Sequence, residues 1–473
     1  MIVASFSAFL LLFLGVGLAS AFRAKKSRTD YYLASREVSP WLVGLSAVAT
    51  NNSGYMFIGV IGFTYATGLA AIWLMTGWIL GDFLASMFIH RKLRDAAERT
   101  HEASFGAVLA TWHGERFLLW RRIAAVLMVV FLGAYSAAQI SAGGKALQGV
   151  LGWDPKLGAV VVASMILAYS VAGGIRASIW TDAIQSLVML FAMSLLFVVA
   201  LAGQGGFSGA SAAMSEIPGY LNWFPEGVLF PGVLGMVLFV VGWMFAGLSV
   251  IGQPHIMVRF MALDDADNMT RARAWYYFYF TIFYGLATGV GMLSRLYLPE
   301  LDGLDPELAL PTMAVQLLPA VFVGAILAGI FAATMSTADS LVLSCSAAIT
   351  HDLLPSQYEK SWEMKAATAF VTGLALLIAL SGSQSVFTLV ILAWSTLASA
   401  FAPLLILYAM NRQLPERGAV LAMVAGVVVA LIWRQLGWHA DVYEGLPGIL
   451  VGLAVGWAYS RKVVAGEQAT ATS

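Results

Sequence analysis

Runs of about twenty apolar residues, the length a helix needs to cross a hydrocarbon layer of roughly 30 Å, recur along the chain with short polar breaks between them. They predict spans near 2–22, 41–66, 71–90, 123–148, 157–174, 180–203, 230–254, 273–297, 319–350, 366–382, 386–410, 417–435 and 444–460. The pattern is that of an all-α polytopic membrane protein with about thirteen transmembrane helices. Two spans are interrupted by residues that weaken a helix. Span two reads LSAVATNNSGYMFIGVIG, with Thr50, Asn51, Asn52, Ser53 and Gly54 at mid-membrane depth; span seven reads GWMFAGLSVIGQPHI, with Gly242, Gly247, Gly252 and Pro254. Backbone groups freed there must find partners, because an unsatisfied amide in lipid is costly. Broken helices at matching places in two halves point to an inverted-repeat transporter. The expected division is an N-terminal helix and loop (1–39), a first five-helix repeat (40–229), a second inverted repeat (230–416), and two C-terminal helices with a short tail (417–473).

Composition agrees: of the 473 residues 60% are hydrophobic and 11% charged, against roughly 25% charged in a soluble domain. Mean hydropathy is +0.81. Net charge is zero and the basic residues are scattered over loops, which argues against nucleic acid. The single cysteine, Cys345, excludes an internal disulfide and is expected to be a buried structural thiol. The first span resembles a signal peptide through Ala19–Ser20–Ala21, but no positive charge precedes it, while Arg23, Lys25, Lys26 and Arg28 follow. It therefore reads as an uncleaved helix with its N-terminus outside and the C-terminus cytoplasmic. With that orientation all 26 Lys and Arg fall on the cytoplasmic side except Lys145, Lys156, Arg295 and Arg434, as the positive-inside rule requires.

Span nine contains AATMSTADSLVLSCSAAIT, strongly hydroxylated for its depth. Ala333, Ser336, Thr337, Ser340 and Ser344 recur at three- and four-residue spacing and share one helix face. Small residues with hydroxyls also make ordinary helix-packing faces. With Asp339 alongside and an unwound segment elsewhere, however, the stripe reads as a site for sodium, a hard cation suited to neutral oxygen ligands. Asp182, after GGIRASIWT, is either a cap, a partner of Arg176, or an ion ligand. Asp82 lies mid-span with no evident partner, Lys145 is expected to snorkel, and His255 and His351 read as structural. No catalytic or metal constellation is present, so an enzyme is not expected.

The segments SAVATNNSGY, GGIRASIWTDAIQ, IGQPHIMVRFMA, MSTADSLVLSCSAAITHDL and AWSTLASAFAP resemble the sodium:solute symporter family, most closely its proline-carrying bacterial members. The resemblance implies a LeuT-type 5+5 core with one helix before it and two after, and a bacterial cytoplasmic (inner) membrane location. By position it implies a sodium site from the carbonyls of Ala49, Asn52 and Ala333 and the hydroxyls of Ser336 and Thr337. A second sodium ion would fall at Asp182, Ser336, Asp339 and Ser340, where Asp339 replaces a family serine. Asn51 stands where the proline-carrying members have aspartate; Asp339 restoring that charge is one reading, and weak sodium binding, or proton use through Asp182 and Asp339, is the other. The implied solute pocket comprises Asn51, Ser53, Gly54, Tyr55, Tyr135, Gln139, Trp243, Ala246 and Val250, with Ala246 and Val250 in place of family aromatics. The expected function is import of a small organic solute, proline or a related amino acid, with one or two Na+ ions and without an obligate protein partner. The rivals are a sodium symporter for a short carboxylate and a solute sensor acting through a separate signalling protein, since only about thirteen residues follow the last span.

Overall fold

The computed structural model describes residues 1–21, 28–228, 230–299, 305–354, 361–382 and 385–463. A helix occupies each span read from the sequence: α1 (Ile2–Ala21), α2 (Pro40–Gly54) continued by a π-turn into α3 (Ile61–Thr67), α4 (Ile72–Thr100), α5 (Leu118–Leu151), α6 (Pro155–Gly203), α7 (Gly232–Leu248) followed by α8 (Pro254–Met261), α9 (Met269–Tyr297), α10 (Ala320–Ala347), α11 (Ser361–Ser381), α12 (Val386–Ala409), α13 (Glu416–Gln435) and α14 (Gly445–Tyr459). Among the described residues, 8 stretches are long and apolar enough to cross a membrane alone, with Pro40–Thr100 counted as one. The apolar windows of α12 and α10 are 89% and 83% buried within the protein, against 22% for α11. The first two therefore form the centre, and α11 turns most of its surface outward to lipid.

α10 packs against α1, α2, α5 and α6, and its small side chains allow that crowding. The α4–α7 contact is closer still: a Cβ on Gly81 would lie 1.8 Å from the Met244 carbonyl oxygen, and one on Gly247 would lie 2.0 Å from that of Trp78. Gly247, expected as a helix breaker, is thus an approach point between two helices. Chain entering α2 is tied to chain leaving α8, since Asp264 N–H donates to the Val38 carbonyl at 3.0 Å and Val38 N–H to that of Ala262 at 3.3 Å, and α4 joins there through Arg94 Nε, which donates to the Leu263 carbonyl at 2.7 Å.

The loop expected at 175–179 is not formed. α6 runs through both spans with one break at Gly174, φ 61° and ψ −169°, a conformation open to glycine because it lacks a Cβ. Short helices at 28–33, 105–111, 206–215 and 309–317 and the antiparallel pair Arg412–Gln413 with Arg461–Lys462 lie outside the spans. They are too short to leave a periodic signal.

Lys145 does not snorkel. Its ammonium pairs with Asp305 and Glu307, each at 2.5 Å. Glu307, with its side chain 6% exposed, also accepts from Val386 N at 3.0 Å, Phe387 N at 2.9 Å and Ser385 Oγ at 2.7 Å, capping α12. The pair was hidden because apolar spacing places Lys145 at a helix end but says nothing of a carboxylate arriving from a later loop. Removing one member of a buried pair typically costs about 3–5 kcal/mol. Glu307→Ala is therefore expected to lower the unfolding midpoint in detergent strongly, and Glu307→Gln, which retains an acceptor for the amides, less. Equal losses in a thermal melt would refute the capping role.

Candidate ion and solute site

The break in α2 falls within the predicted segment, at Ser53, where φ is 18° and ψ 176°. Its freed groups are satisfied locally: Gly54 N–H donates to Gln139 Oε1 at 2.8 Å, and Tyr55 N–H to Ser53 Oγ at 3.1 Å. Glycine at 54 is required by space, because a Cβ would meet Thr334 Cγ2 at 2.6 Å and Ala142 Cβ at 2.9 Å. The second break is a 3-10 turn at Ser249–Gly252 followed by extended Gln253, after which Pro254 starts α8. Gln253 Nε2 secures it, donating to the Ser249 and Trp394 carbonyls at 3.1 and 2.9 Å.

α10 meets the broken helix through Thr337, whose hydroxyl donates to the Thr50 carbonyl at 2.8 Å. That contact sets Thr50, with Ala49 and Asn52 near it in the chain, against the helix that carries Ala333, Ser336 and Thr337; these last five residues are completely buried. Several polar atoms here lack hydrogen-bond partners: both amide atoms of Asn52, Thr50 Oγ1, and Ser336 Oγ, which faces Asp182 without a well-formed hydrogen bond. Unpartnered polar atoms in a protein interior call for a ligand or water. Neutral oxygens in this number suit a small dehydrated cation.

Two of the residues expected to hold a second ion, Asp182 and Ser340, bind a guanidinium. Arg259 Nη2 lies 3.2 Å from Asp182 Oδ2 and 3.1 Å from Ser178 Oγ and is also bonded to Ser340 Oγ; Nη1 donates to the His255 carbonyl at 2.5 Å and Nε to Ser46 Oγ at 3.1 Å. Ser46 Oγ in turn donates to Asp182 at 2.6 Å. Asp339 is buried on the same helix, 2% exposed. Arg176 is not the partner of Asp182: it reaches Asp30 at 2.5 Å and the Ala34 carbonyl at 2.9 Å. Below Arg259 and Ser340 a cavity of about 470 Å³, counting its open mouth, is lined by Tyr32, Phe105, Met128, Val258 and Asp352 among others.

Most of the solute-pocket residues converge. Tyr135 donates to Ser53 Oγ at 3.1 Å, Gln139 holds Gly54, and the Tyr55 ring stacks on Phe387 with centroids 5.4 Å apart. Ala246 and Val250 are fully buried. The aromatic surface missing from those two positions comes from elsewhere: Trp78 lies 5.7 Å from Tyr55 and 5.2 Å from Trp394, which donates its Nε1–H to the Ala246 carbonyl at 2.8 Å. Trp243 sits at the edge of this group, against Phe63 and Phe387. His255, at 5.5 Å from Tyr135, adds two buried ring nitrogens without partners. Sequence reasoning missed Trp78, Phe387, Trp394 and Arg259. Only the arginine gave a signal, as a cation inside the GQPHIMVRF segment. Asn51 points elsewhere: its amide donates to Tyr276 OH at 2.5 Å.

Comparison with known proteins fits this geometry. Residues 31–426 match the sodium:solute symporter family. The chain is 29% identical to the sodium/proline symporter of Salmonella typhimurium, over 91% of this chain and 87% of that one. It is 28% identical to the high-affinity proline transporter PutP of Bacillus subtilis, over 92% of each. Among solved structures, a Na+-coupled sialic acid symporter in a substrate-bound outward-open state superposes with a TM-score of 0.81 at 20% identity, over 98% of this chain and 99% of that one. The nucleobase-cation-symport-1 family transporter Mhp1 gives 0.59 at 14% identity, over 94% and 99%. These two likenesses concern the fold, which is of the LeuT type. The relatives are transporters rather than enzymes, and the bacterial ones agree with a multi-pass protein of the inner membrane. With a family match over most of its length, a broken helix facing a hydroxyl stripe and the shared fold, the chain belongs to the sodium:solute symporter family, whose members couple solute entry to Na+.

Proposed function

We propose that this symporter carries proline or a closely related small amino acid, with one sodium ion held by the Ala49, Asn52 and Ala333 carbonyls and the Ser336 and Thr337 hydroxyls. The observation that carries the ion assignment is the group of buried, unpartnered polar atoms at Asn52, Thr50 and Ser336 beside the Thr337–Thr50 bond. The solute assignment is supported by the proline transporters among the relatives and by the surface around Ser53. Aromatic faces at Tyr55, Trp78 and Trp394 suit an apolar ring, and Gln139 Nε2 is a buried donor without a partner for a carboxylate.

Residues 40–229 and 230–416 act in this reading as the two repeats whose relative movement exposes the site to each side in turn. Sodium bridging α2 and α10 favours the form open to the outside. It drives the cycle only through its different affinity for the two forms. The cavity below Arg259, lined by segments assigned to the cytoplasmic side, is the exit. Arg259, already bonded to Asp182 and Ser340, supplies the positive charge that a second sodium would bring, which supports a single ion. The protein is read as working without a dedicated protein partner.

In proteoliposomes with an inward sodium gradient, labelled proline is expected to accumulate and unlabelled proline to compete better than short carboxylates. Sodium-driven uptake of a carboxylate that proline cannot displace would discard the solute while leaving the ion site. Removing one oxygen ligand by Ser336→Ala or Thr337→Ala, at about 1.5–3 kcal/mol for a bond to a charged group, should raise the sodium concentration for half-maximal uptake by roughly 10- to 100-fold. An unchanged sodium dependence in both variants would refute the assignment.

A further inference from the structure

Asp82, which has no evident partner in the sequence, is completely buried in α4. It accepts two phenol hydroxyls from α9: Tyr276 OH at 2.6 Å on Oδ2 and Tyr277 OH at 2.8 Å on Oδ1. Tyr276 OH also accepts from Asn51 Nδ2. A continuous hydrogen-bonded chain therefore runs from a carboxylate in α4 to the residue next to Asn52, inside the segment where α2 breaks.

Among the described residues Asp82 makes no ion pair. The charged and titratable groups around it are engaged elsewhere or neutral. Arg273, one turn before Tyr276, donates to the Ser86 carbonyl, Met87 Sδ and Thr270 Oγ1. His90, two turns along α4, packs its ring on Phe260 at 4.0 Å with neither nitrogen bonded. From α8, Arg259 is committed to Asp182 and Ser340, and His255 lies against Tyr135 and Trp394. α7 has no titratable residue, and α12 contributes Tyr408, stacked on Trp112. An ionisable group held this deep without a counter-charge is costly and marks a functional place.

The phenol of Tyr276 has one proton to give. With Asp82 ionised it gives that proton to Asp82 and accepts from the Asn51 amide, the arrangement observed. When Asp82 Oδ2 is protonated its own O–H donates to Tyr276, and the phenol must turn its hydrogen toward Asn51, whose amide rotates to offer its oxygen. Taking up one proton thus reverses donation along the whole chain and re-sets the side chain beside Asn52.

We infer that Asp82 is a proton-binding site of the transport cycle, linked through Tyr276 and Asn51 to the broken segment of α2. Its ionised form favours sodium between α2 and α10, and its protonated form disfavours it. The inference rests on the sodium reading of that site. Because coupling between two binding events is reciprocal, sodium binding drives a proton from the Asp82 carboxyl to bulk water, and raising the pH tightens sodium binding.

The test uses the purified full chain in detergent. Equilibrium binding of radioactive sodium is measured from pH 5.5 to 8.5, together with proton release on adding NaCl to weakly buffered protein containing an indicator dye. The wild type should bind sodium about tenfold more tightly at the upper pH and release a proton saturably with sodium. Asp82→Asn should flatten the pH dependence and abolish the release. Tyr276→Phe, which keeps Asp82 but breaks the chain to Asn51, should weaken the pH dependence and serves as the readout if Asp82→Asn does not fold. Sodium binding with the same pH dependence in wild type, Asp82→Asn and Tyr276→Phe overturns the inference and leaves the sodium site standing. Absence of sodium binding to the wild type at every pH overturns both.

Discussion

A helix that breaks at Ser53 within an apolar interior leaves amides and carbonyls that no water can reach, and the site is built from the groups that answer for them. Gln139 from α5 takes the Gly54 N–H, and Thr337 from α10 takes the Thr50 carbonyl. Beside those two contacts, side-chain atoms of Asn52, Thr50 and Ser336 are left without hydrogen-bond partners, and this is the surface proposed to bind sodium. The close packing of α10 against its neighbours holds the two halves of that surface together. The break therefore joins scaffold and function, since an unbroken α2 would have no free carbonyls to offer and α10 no reason for its hydroxyls.

Charge is handled in three ways inside the same bundle. Lys145 with Asp305 and Glu307 is a structural pair that also caps α12. Arg259 with Asp182 neutralises the region below the sodium site, where a guanidinium's several donors satisfy Ser178, Ser340, Ser46 and a backbone carbonyl together. Asp82 is held by phenols alone. The first arrangement resists change, the second places a fixed positive charge where a second ion was expected, and the third is the one proposed to respond to a proton. Burial is common to all three, so the partners decide what each charged group does.

Features carried by local spacing were legible in the sequence: the apolar spans, the break at residues 50–54, the hydroxyl stripe of span nine, and Tyr135 one turn from Gln139. What was not legible joins residues far apart in the chain. Asp82 and Tyr276 are separated by 194 positions, Asn51 and Tyr276 by 225, and Trp394 and the carbonyl of Ala246 by 148. No periodicity in one sequence sets such pairings. The same limit explains Lys145 and Arg176, whose side chains were assigned from their own helices while their partners, Asp305 with Glu307 and Asp30, come from distant parts of the chain. The kink at Gly174 shows the opposite case, in which two spans, 157–174 and 180–203, prove to be one helix with a bend, because sequence alone does not say whether glycine stops a helix or bends it.

A single ion between α2 and α10, with Arg259 standing in for a second, is proposed, and the sodium-to-solute ratio checks it. It can be read from the membrane potential at which net solute-coupled current reverses in proteoliposomes with fixed sodium and solute gradients. One sodium per solute is the expected result. A ratio of two would contradict it, since Arg259 already holds Asp182 Oδ2 and Ser340 Oγ.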